Sequence, residues 1–345
     1  MSIYVEKEEA LTYQDVLLVP QYSDIGSRKE VDIGNRLSED VKLSLPLISS
    51  PMDTVSEEEM AQAMSENGGV SVVHRYNTIE EQAGIVGKVS SDNLVGAAIG
   101  ATGDFVERAG ELVLRGVDFL CIDVAHGHHL HVKNAIETLR SKSWGGVHIM
   151  AGNVATLEGF NALASWGADS IRCNIGGGSI CTTRVQTGHG VPGLHTIFDC
   201  ARSEYAGDVK VIADGGIRNA GDVVKALAAG ADFVMAGSLF AGTDQSPGKL
   251  MKTSQGSFKQ YRGMASRDAQ MNWRGRSGSP EGVSSMIPYK GDVNLILEEL
   301  SGSIKSGFSY TGARNIQELW SKAKFIRQTN AGQMESSAHI LKRYA

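Results

Sequence analysis

Eight short runs of β-branched and other apolar residues, spread over the 345 residues, are the feature that most constrains the fold of this chain. Segments with helical periodicity separate most of these runs. Residues 57–67, for example, place Met60, Ala61 and Met64 on one face. Apolar strands that alternate with helices are typical of a parallel sheet covered on both faces. The runs are residues 46–49, 70–73, 94–97, 117–122, 147–150, 169–172, 209–212 and 232–235.

The number of these units favours a closed (β/α)8 TIM barrel, an α/β fold in which residues 1–345 form a single domain. Glycines follow several helical segments, where a left-handed residue would end the helix: Gly68 with Gly69, Gly116, Gly167 and Gly230. A doubly wound open sheet is the alternative, but no GxGxxG sequence follows the first strand. We therefore expect the functional site at the carboxyl ends of the strands, where barrel enzymes place it.

The residues that follow the predicted strands are rich in polar side chains and glycine. Gly215 and Gly216 follow the seventh strand, and Gly237 and Ser238 follow the eighth. Phosphate-binding barrels use this position, where backbone N–H groups surround the anion. We therefore expect a substrate that carries a phosphate. The other strand ends supply Ser49–Asp53, His74–Tyr76, Asp123, His126, Asn153 and the loop before Arg184.

The loop from Ile175 to Arg184 contains three consecutive glycines, followed closely by Ser179 and Cys181. Glycines let a backbone turn tightly and approach a ligand closely. A cysteine presented on such a loop is a candidate nucleophile, and an inert cysteine on a structural turn is the alternative. The other cysteines form no CxxC pair, so a reduced, cytoplasmic setting is expected. They are Cys121, Cys173 and Cys200, and those in strand runs are expected to be buried.

The charge and hydropathy of the chain exclude several classes of partner. A formal net charge of −6 argues against nucleic acid, because binding to a phosphate backbone needs a basic face. The first residues include Glu6, Glu8 and Glu9 and no apolar core of a signal peptide. No apolar run approaches the length of a membrane span, so no membrane partner is expected.

Taken together, these motifs resemble the family of IMP dehydrogenase and GMP reductase, over nearly the whole chain. The loop around Cys181 is highly specific for this family, whereas the glycine pairs alone are not. One departure is Gly177, where the family usually has proline. The resemblance is carried by residues 11–20, 50–55, 123–128, 151–154, 175–184, 213–217, 237–239, 261–264, 280–282 and 288–291.

The resemblance implies covalent catalysis on a purine nucleotide. Cys181 would attack C2 of the base as a thiolate, and Thr183 and Glu281 would relay protons. The dehydrogenase then transfers hydride to NAD⁺, whereas the reductase releases ammonia from GMP and takes hydride from NADPH.

The resemblance also assigns binding residues and an assembly. Ser179, Gly216, Gly237 and Ser238 would hold the 5′-phosphate, and Asp214 would accept the ribose hydroxyls. Further substrate contacts would come from Gly215, Tyr261, Gly263, Met264 and Ala265, with Met264 and its neighbours facing the base. The cofactor side would contain Arg75, Asp123 and Asn153, and carbonyls of Gly176, Gly178 and Cys181 would bind K⁺. The family assembles as a homotetramer, and we expect the same here.

Two features favour the reductase over the dehydrogenase. The chain runs from His74 to Leu94 with no room for the regulatory CBS modules that most dehydrogenases insert there. The predicted flap, within residues 262–290, has no Arg-Tyr step of the kind that activates water in the dehydrogenase, although Arg274 and Arg276 are possible substitutes. Residues 74–76 and 306–312 also favour the reductase, whereas residues 18–20, 243–248 and 280–282 read more like the dehydrogenase.

The sequence therefore predicts an NADPH-dependent GMP reductase. An IMP dehydrogenase without CBS modules, using NAD⁺, is the first alternative. A catalytically inactive barrel that binds purine nucleotides as a sensor is the second, although the presence of Cys181, Thr183 and Glu281 together argues against it.

Overall fold

The structure is a computed structural model that describes residues 9–276 and 278–336. Its first seven strands are β1 (Val16–Leu18), β2 (Asn35–Arg36), β3 (Lys42–Leu43), β4 (Leu47–Ser49), β5 (Val70–Val73), β6 (Val95–Ile99) and β7 (Phe119–Asp123). The later strands are β8 (His148–Val154), β9 (Ser170–Cys173), β10 (Lys210–Asp214), β11 (Phe233–Ala236), β12 (Met251–Thr253), β13 (Gly256–Arg262), β14 (Ser284–Pro288) and β15 (Phe325–Arg327).

The first helices are α1 (Glu58–Glu66), α2 (Ile79–Val89), α3 (Phe105–Leu114), α4 (Leu130–Arg140), α5 (Leu157–Ser165) and α6 (Thr183–Thr187). The later helices are α7 (Gly193–Cys200), α8 (Ala220–Ala228), α9 (Arg267–Arg274), α10 (Val293–Thr311), α11 (Ile316–Lys322) and α12 (Asn330–Glu335). No helix within residues 9–276 and 278–336 has both the length and the apolar character needed to cross a bilayer.

Strands β4 to β11 form a closed barrel in chain order, with β11 pairing back to β4 and every neighbouring pair parallel. These are the eight predicted strands, so the (β/α)8 prediction is confirmed. The bounds differ by a few residues. Strand β8 continues to Val154, beyond its predicted end at residue 150, because Gly152 stays in register with Asp123 although the apolar pattern has ended.

The barrel interior is filled by alternating strand residues such as Val70 and Val72. Gly96 makes room for the largest of these side chains, because a Cβ there would lie 2.2 Å from the Phe119 ring. Residues of the β2–β3 hairpin, including Leu43, belong to the same apolar cluster. The Asn35 amide also donates to Asp232, beside the start of β11, so the hairpin covers the amino-terminal end of the barrel. The carboxyl-terminal end is left for a ligand.

Helices α1 to α5, α7 and α8 pack against the outside of the barrel. Several begin with a side-chain cap. At the start of α2, for example, the Thr78 hydroxyl accepts from the Glu81 N–H, and the Glu81 carboxylate accepts from the Thr78 N–H. At each of the four predicted helix ends one glycine has positive φ, between +80° at Gly68 and +111° at Gly230, whereas Gly69, next to Gly68, does not. A left-handed residue at these positions turns the chain back toward the next strand.

A second unit follows strand β11. Strands β12, β13 and β14 form an antiparallel sheet, with Arg262 paired to Ser284, and α9 connects β13 to β14. This unit contains the predicted flap. The two ends of the described chain meet elsewhere, where β1 pairs antiparallel with β15.

Candidate active site

A cavity of about 660 Å³ lies at the carboxyl-terminal end of the barrel, and all eight barrel strands or the loops after them contribute to it. Its size is typical of a site for a small organic ligand. Every site residue predicted from the sequence lines this one cavity. They are Arg75, Asp123, Asn153, Gly176, Gly178, Ser179, Cys181, Thr183, Asp214, Gly215, Gly216, Gly237, Ser238, Tyr261, Gly263, Met264, Ala265 and Glu281.

Cys181 is presented by the loop between β9 and α6. Its N–H donates to the Gly178 carbonyl at 3.1 Å, which closes the turn that carries the thiol. Its Sγ–H donates to the Thr183 hydroxyl at 3.2 Å. The thiol is half-buried, so it faces the cavity and remains accessible to a ligand.

The other three cysteines differ from Cys181 because they are buried. Burial raises the pKa of the Cys121 thiol to about 12, and burial likewise raises the pKa of Cys173. A protonated, buried thiol is a poor nucleophile. The structure therefore confirms that Cys121 and Cys173 are buried strand residues, and it leaves Cys181 as the accessible thiol.

The flap holds Glu281 beside the cysteine loop through backbone pairing. The Glu281 carbonyl accepts from the Thr182 N–H at 2.9 Å, and the Val283 N–H donates to the Ile180 carbonyl at 3.0 Å. The residue between them, Gly282, is enclosed so closely that a Cβ would lie 3.3 to 3.4 Å from three neighbouring backbone atoms. The pairing brings the Glu281 side chain into the same cavity as Cys181 and Thr183, although these residues are far apart in sequence.

Gly215 and Gly216, with φ of +80° and +76°, turn the chain at the end of β10. Consecutive left-handed residues suit glycine and direct backbone N–H groups toward an anion. On the facing side, a Cβ at Gly237 would lie 2.9 Å from the Tyr261 hydroxyl. Burial raises the pKa of Tyr261 to about 12, so its hydroxyl, within hydrogen-bonding reach of Ser179, stays a donor. These residues form an uncharged set of donors suited to a phosphate.

Arg172, which sequence reasoning missed, joins two of the predicted site carboxylates. Its Nη1 lies 2.6 Å from Asp123 Oδ1, and its Nη2 lies 2.8 Å from Asp214 Oδ2. Asn153 donates to the same Asp214 oxygen at 2.8 Å, and Arg75 donates to the Asp123 carbonyl at 3.1 Å. Burial alone would lower the pKa of Arg172, but the two carboxylates outweigh it and raise the pKa above its usual value.

Arg172 lies inside the predicted sixth strand, and the strand pattern alone gives it no role in a site. A cation in a buried parallel strand is itself a signal, because it needs a carboxylate partner.

Lys290 is a second contact that the sequence did not predict. Its ammonium donates to the carbonyls of Ser238 and Leu239. These residues directly follow Gly237, which with Gly215 and Gly216 forms the group called here the phosphate-type glycines. A lysine in this part of the sequence does not by itself indicate a contact with the end of β11.

Helix α9 of the flap approaches the part of the cavity that Arg75 and Tyr76 line. The Trp273 ring lies 5.8 Å from the Tyr76 ring, and the Arg75 guanidinium lies 5.6 Å from the centre of the same Tyr76 ring. Gln270 of α9 lines the cavity itself. The side chain of Arg274 lies outside the described part of the structure, and Arg276 is exposed.

Comparisons with known proteins give the class to which this barrel and its cavity belong, the oxidoreductases of purine nucleotides. The chain belongs to the IMP dehydrogenase / GMP reductase family, since the model of that domain matches residues 10–339. It is 34% identical to inosine-5′-monophosphate dehydrogenase of Nitrosopumilus maritimus, over 97% of this chain and 99% of the relative. It is 36% identical to the enzyme of the same name from Cryptosporidium parvum, over 96% of this chain and 95% of the relative.

A solved structure is similar over the whole fold. A cysteine-to-alanine variant of GMP reductase from Trypanosoma brucei, in complex with guanosine 5′-monophosphate, superimposes with a TM-score of 0.93 at 31% identity. The superposition covers 96% of this chain and 98% of the other. The alignment with the Nitrosopumilus relative spans 474 positions, more than the 345 residues here, so that relative contains residues that this chain lacks.

Proposed function

We propose that this protein is a GMP reductase that converts GMP to IMP and ammonia with NADPH. The observation that carries the proposal is the flap: it lacks an Arg-Tyr step between Met264 and Pro280, so it lacks the pair that activates water in the dehydrogenase. Hydride delivery needs no such pair. The likeness to a reductase structure with bound GMP supports the same conclusion.

The covalent step uses Cys181, which lies in the cavity with its thiol bonded to Thr183. The thiolate forms a bond to C2 of GMP, and the 2-amino group leaves as ammonia after it takes a proton. Thr183 and Glu281 line the same wall and carry that proton. NADPH held beside Arg75 would supply a hydride to C2; the bond between C2 and the Cys181 sulfur would then break, leaving the thiolate and IMP.

The remaining residues hold the nucleotide in place for attack. Ser179, Gly216, Gly237 and Ser238 bind the 5′-phosphate. Oδ2 of Asp214 accepts from Arg172 and Asn153, which fixes the carboxylate that would accept the ribose hydroxyls. Fixing both ends of the nucleotide places the base beside the thiol, which is the main advantage of a bound over a free reactant. Gly215, Tyr261, Gly263, Met264 and Ala265 complete this half of the cavity.

The cofactor half of the cavity suits a dinucleotide. Arg75 supplies a cation for its phosphates, and Tyr76 with Trp273 supplies aromatic faces beside the flap. Asp123 and Asn153 line the same cavity, and we assign them to the cofactor side as well. The carbonyls of Gly176, Gly178 and Cys181 are uncharged hard oxygen donors, which fit a monovalent cation such as K⁺.

One observation favours IMP dehydrogenase, because the curated relatives found at 34% and 36% identity carry that name. In that reaction hydride leaves C2 for NAD⁺ and water then releases XMP from Cys181. Arg274 or Arg276 would have to activate that water.

Absorbance at 340 nm separates the candidates when GMP with NADPH and IMP with NAD⁺ and K⁺ are run side by side. A fall in the first mixture with release of ammonia is the expected result. A rise in the second mixture alone would replace the proposal with the dehydrogenase. Nucleotide binding without turnover in either mixture, and without covalent labelling of Cys181, would indicate a sensor.

A further inference from the structure

Asn174, the first residue after β9, has no part in the reaction described above, yet its position is unusual. Its φ is +153°, a conformation that residues with a side chain seldom adopt, and it is only 5% exposed. Its Nδ2 donates to the carbonyls of Asp214 at 2.9 Å and Gly215 at 3.3 Å. The amide therefore joins the start of the cysteine loop to the turn that begins the phosphate-type site.

The Asn174 amide also fills the space beside Gly177. A Cβ on Gly177 would lie 2.2 Å from Asn174 Nδ2 and 2.7 Å from Oδ1, well inside van der Waals contact. Any residue other than glycine at 177 is therefore excluded while Asn174 keeps this position. The two residues thus form a matched pair in this chain, in which the amide takes the space that a side chain at 177 would need.

Stability alone does not explain Asn174. Its Oδ1 is buried and has no hydrogen-bond partner among the described residues. An unpaired buried oxygen loses the hydrogen bonds that water would give it, and a positive φ adds strain that glycine would avoid. Glycine at 174 would remove both costs. A buried polar group that is retained against such costs calls for an explanation other than stability.

We propose that Asn174 is a positioning residue for the covalent step and that it acts only with glycine at 177. The amide fixes the cysteine loop against Asp214 and Gly215, which sets the distance between the Cys181 thiol and a nucleotide held by the phosphate-type glycines. The inference rests on the proposed covalent chemistry at Cys181, and it is independent of whether GMP or IMP is the substrate.

A double-mutant cycle of Asn174→Gly, Gly177→Ala and the double variant tests the pairing. In Asn174→Gly we expect kcat to fall more than about 10-fold while the Kd for GMP stays within about 3-fold, because the phosphate and ribose groups are unchanged. Gly177→Ala should lose at least as much kcat. Adding Asn174→Gly to it should raise kcat at least about 5-fold, because the clash is removed. Losses that simply multiply in the double variant would overturn the pairing.

A second readout measures positioning without turnover. Iodoacetamide labels Cys181, and bound GMP should slow the labelling because the base covers the thiol. Protection is the factor by which saturating GMP slows the labelling of Cys181. In Asn174→Gly we expect this factor to be at least about 5-fold smaller than in wild type, with the Tm unchanged or higher. A lower Tm with full protection would show that Asn174 is merely structural.

If Asn174→Gly does not fold, Asn174→Asp replaces it in the test. Aspartate has nearly the shape of asparagine, but an oxygen takes the place of Nδ2 and cannot donate to the carbonyls of Asp214 and Gly215. The same loss of protection is expected, and full protection in a folded Asn174→Asp protein would refute the proposal. A wild-type protein that turns over neither GMP nor IMP would refute the proposed reaction, and the labelling experiment would still decide the role of Asn174.

Discussion

Arg172 Nη1 lies 2.6 Å from Asp123 Oδ1, a carboxylate that we propose faces the cofactor. The same guanidinium bonds Asp214, which we propose binds the nucleotide, so one buried cation holds both carboxylates. The proposed cofactor and nucleotide halves of the site are therefore coupled through a single side chain.

Replacing Arg172 with Met should destabilise the protein by up to about 3 kcal/mol, because it removes the cation that joins Asp123 and Asp214, although Arg75 remains 4.0 Å from Asp123. It should also weaken nucleotide binding, since Asp214 then keeps Asn153 but loses Arg172 as a donor that orients it. Thermal unfolding and calorimetric titration with GMP measure the two effects. Arg172→Lys is the matched control, and it should recover part of the stability. A Met variant that unfolds and binds like wild type would show that the ion pairs contribute nothing.

Cys181→Ala should reduce turnover more than about 10³-fold, because no other accessible thiol is present to form the covalent bond. Nucleotide binding should persist, since the phosphate and ribose groups are unchanged. The assay is turnover at 340 nm together with calorimetric titration. The buried Cys200 provides the control: Cys200→Ala should keep turnover within about 2-fold. Substantial activity in Cys181→Ala would disprove the mechanism.

Asp214→Ala should mainly weaken nucleotide binding, by about 10- to 100-fold, because it removes a charged acceptor for the ribose hydroxyls. It also leaves Arg172 without one of its two carboxylates. Asp214→Asn keeps one acceptor oxygen and should lose less. Calorimetric titration with GMP measures both variants, and an affinity unchanged from wild type would place the ribose anchor elsewhere.

Stability should fall in acid through His148, whose side chain bonds Ser170 at 2.8 Å inside the fold. Burial lowers the pKa of His148 to about 4 from an ordinary 6.5, so the unfolded chain takes up the proton first. The contribution is fully present above about pH 6.5 and is lost as the pH falls toward 4, up to about 3 kcal/mol.

Urea unfolding at a series of pH values measures this loss. His148→Gln should flatten the pH dependence over that range, whereas the exposed His131→Gln should leave it unchanged. An identical slope in wild type and His148→Gln would show that His148 does not control acid stability.

We expect a homotetramer in solution, because the family assembles that way. Large apolar side chains on the outside of the described chain are available for burial between subunits, among them Leu114 at 79% and Val185 at 83% exposure. Light scattering coupled to size-exclusion chromatography measures the mass directly. A monomer at working concentration would contradict the expectation.

The barrel was predictable because its signals are local. Runs such as residues 209–212 are apolar and β-branched, and glycines such as Gly230 mark the ends of helices. The hairpin of β2 and β3 was not predicted, because its short strands contain Asn35, Arg36 and Lys42 and show no alternating pattern. Its burial depends on the whole barrel being formed.

The site was predictable one residue at a time, through motifs at the strand ends, but its connections were not. The bonds from Arg172 to Asp123 and Asp214 join residues on three different strands. The contact of Asn174 with Gly177 depends on a backbone conformation that no sequence pattern announces. Such contacts depend on the three-dimensional arrangement of the strands and loops, which exists only once the barrel has formed.

The backbone ladder that joins Glu281 and Val283 to the cysteine loop limits how the flap can swing. Further bridges join Gly282 to Cys181 and to Ser266, so both ends of the segment that carries helix α9 are fixed to the cysteine loop or to each other. Helix α9 itself lies outside these bonds. A displacement of α9 would therefore change the opening of the cavity beside Tyr76 without breaking the backbone bonds that hold Glu281 near Cys181.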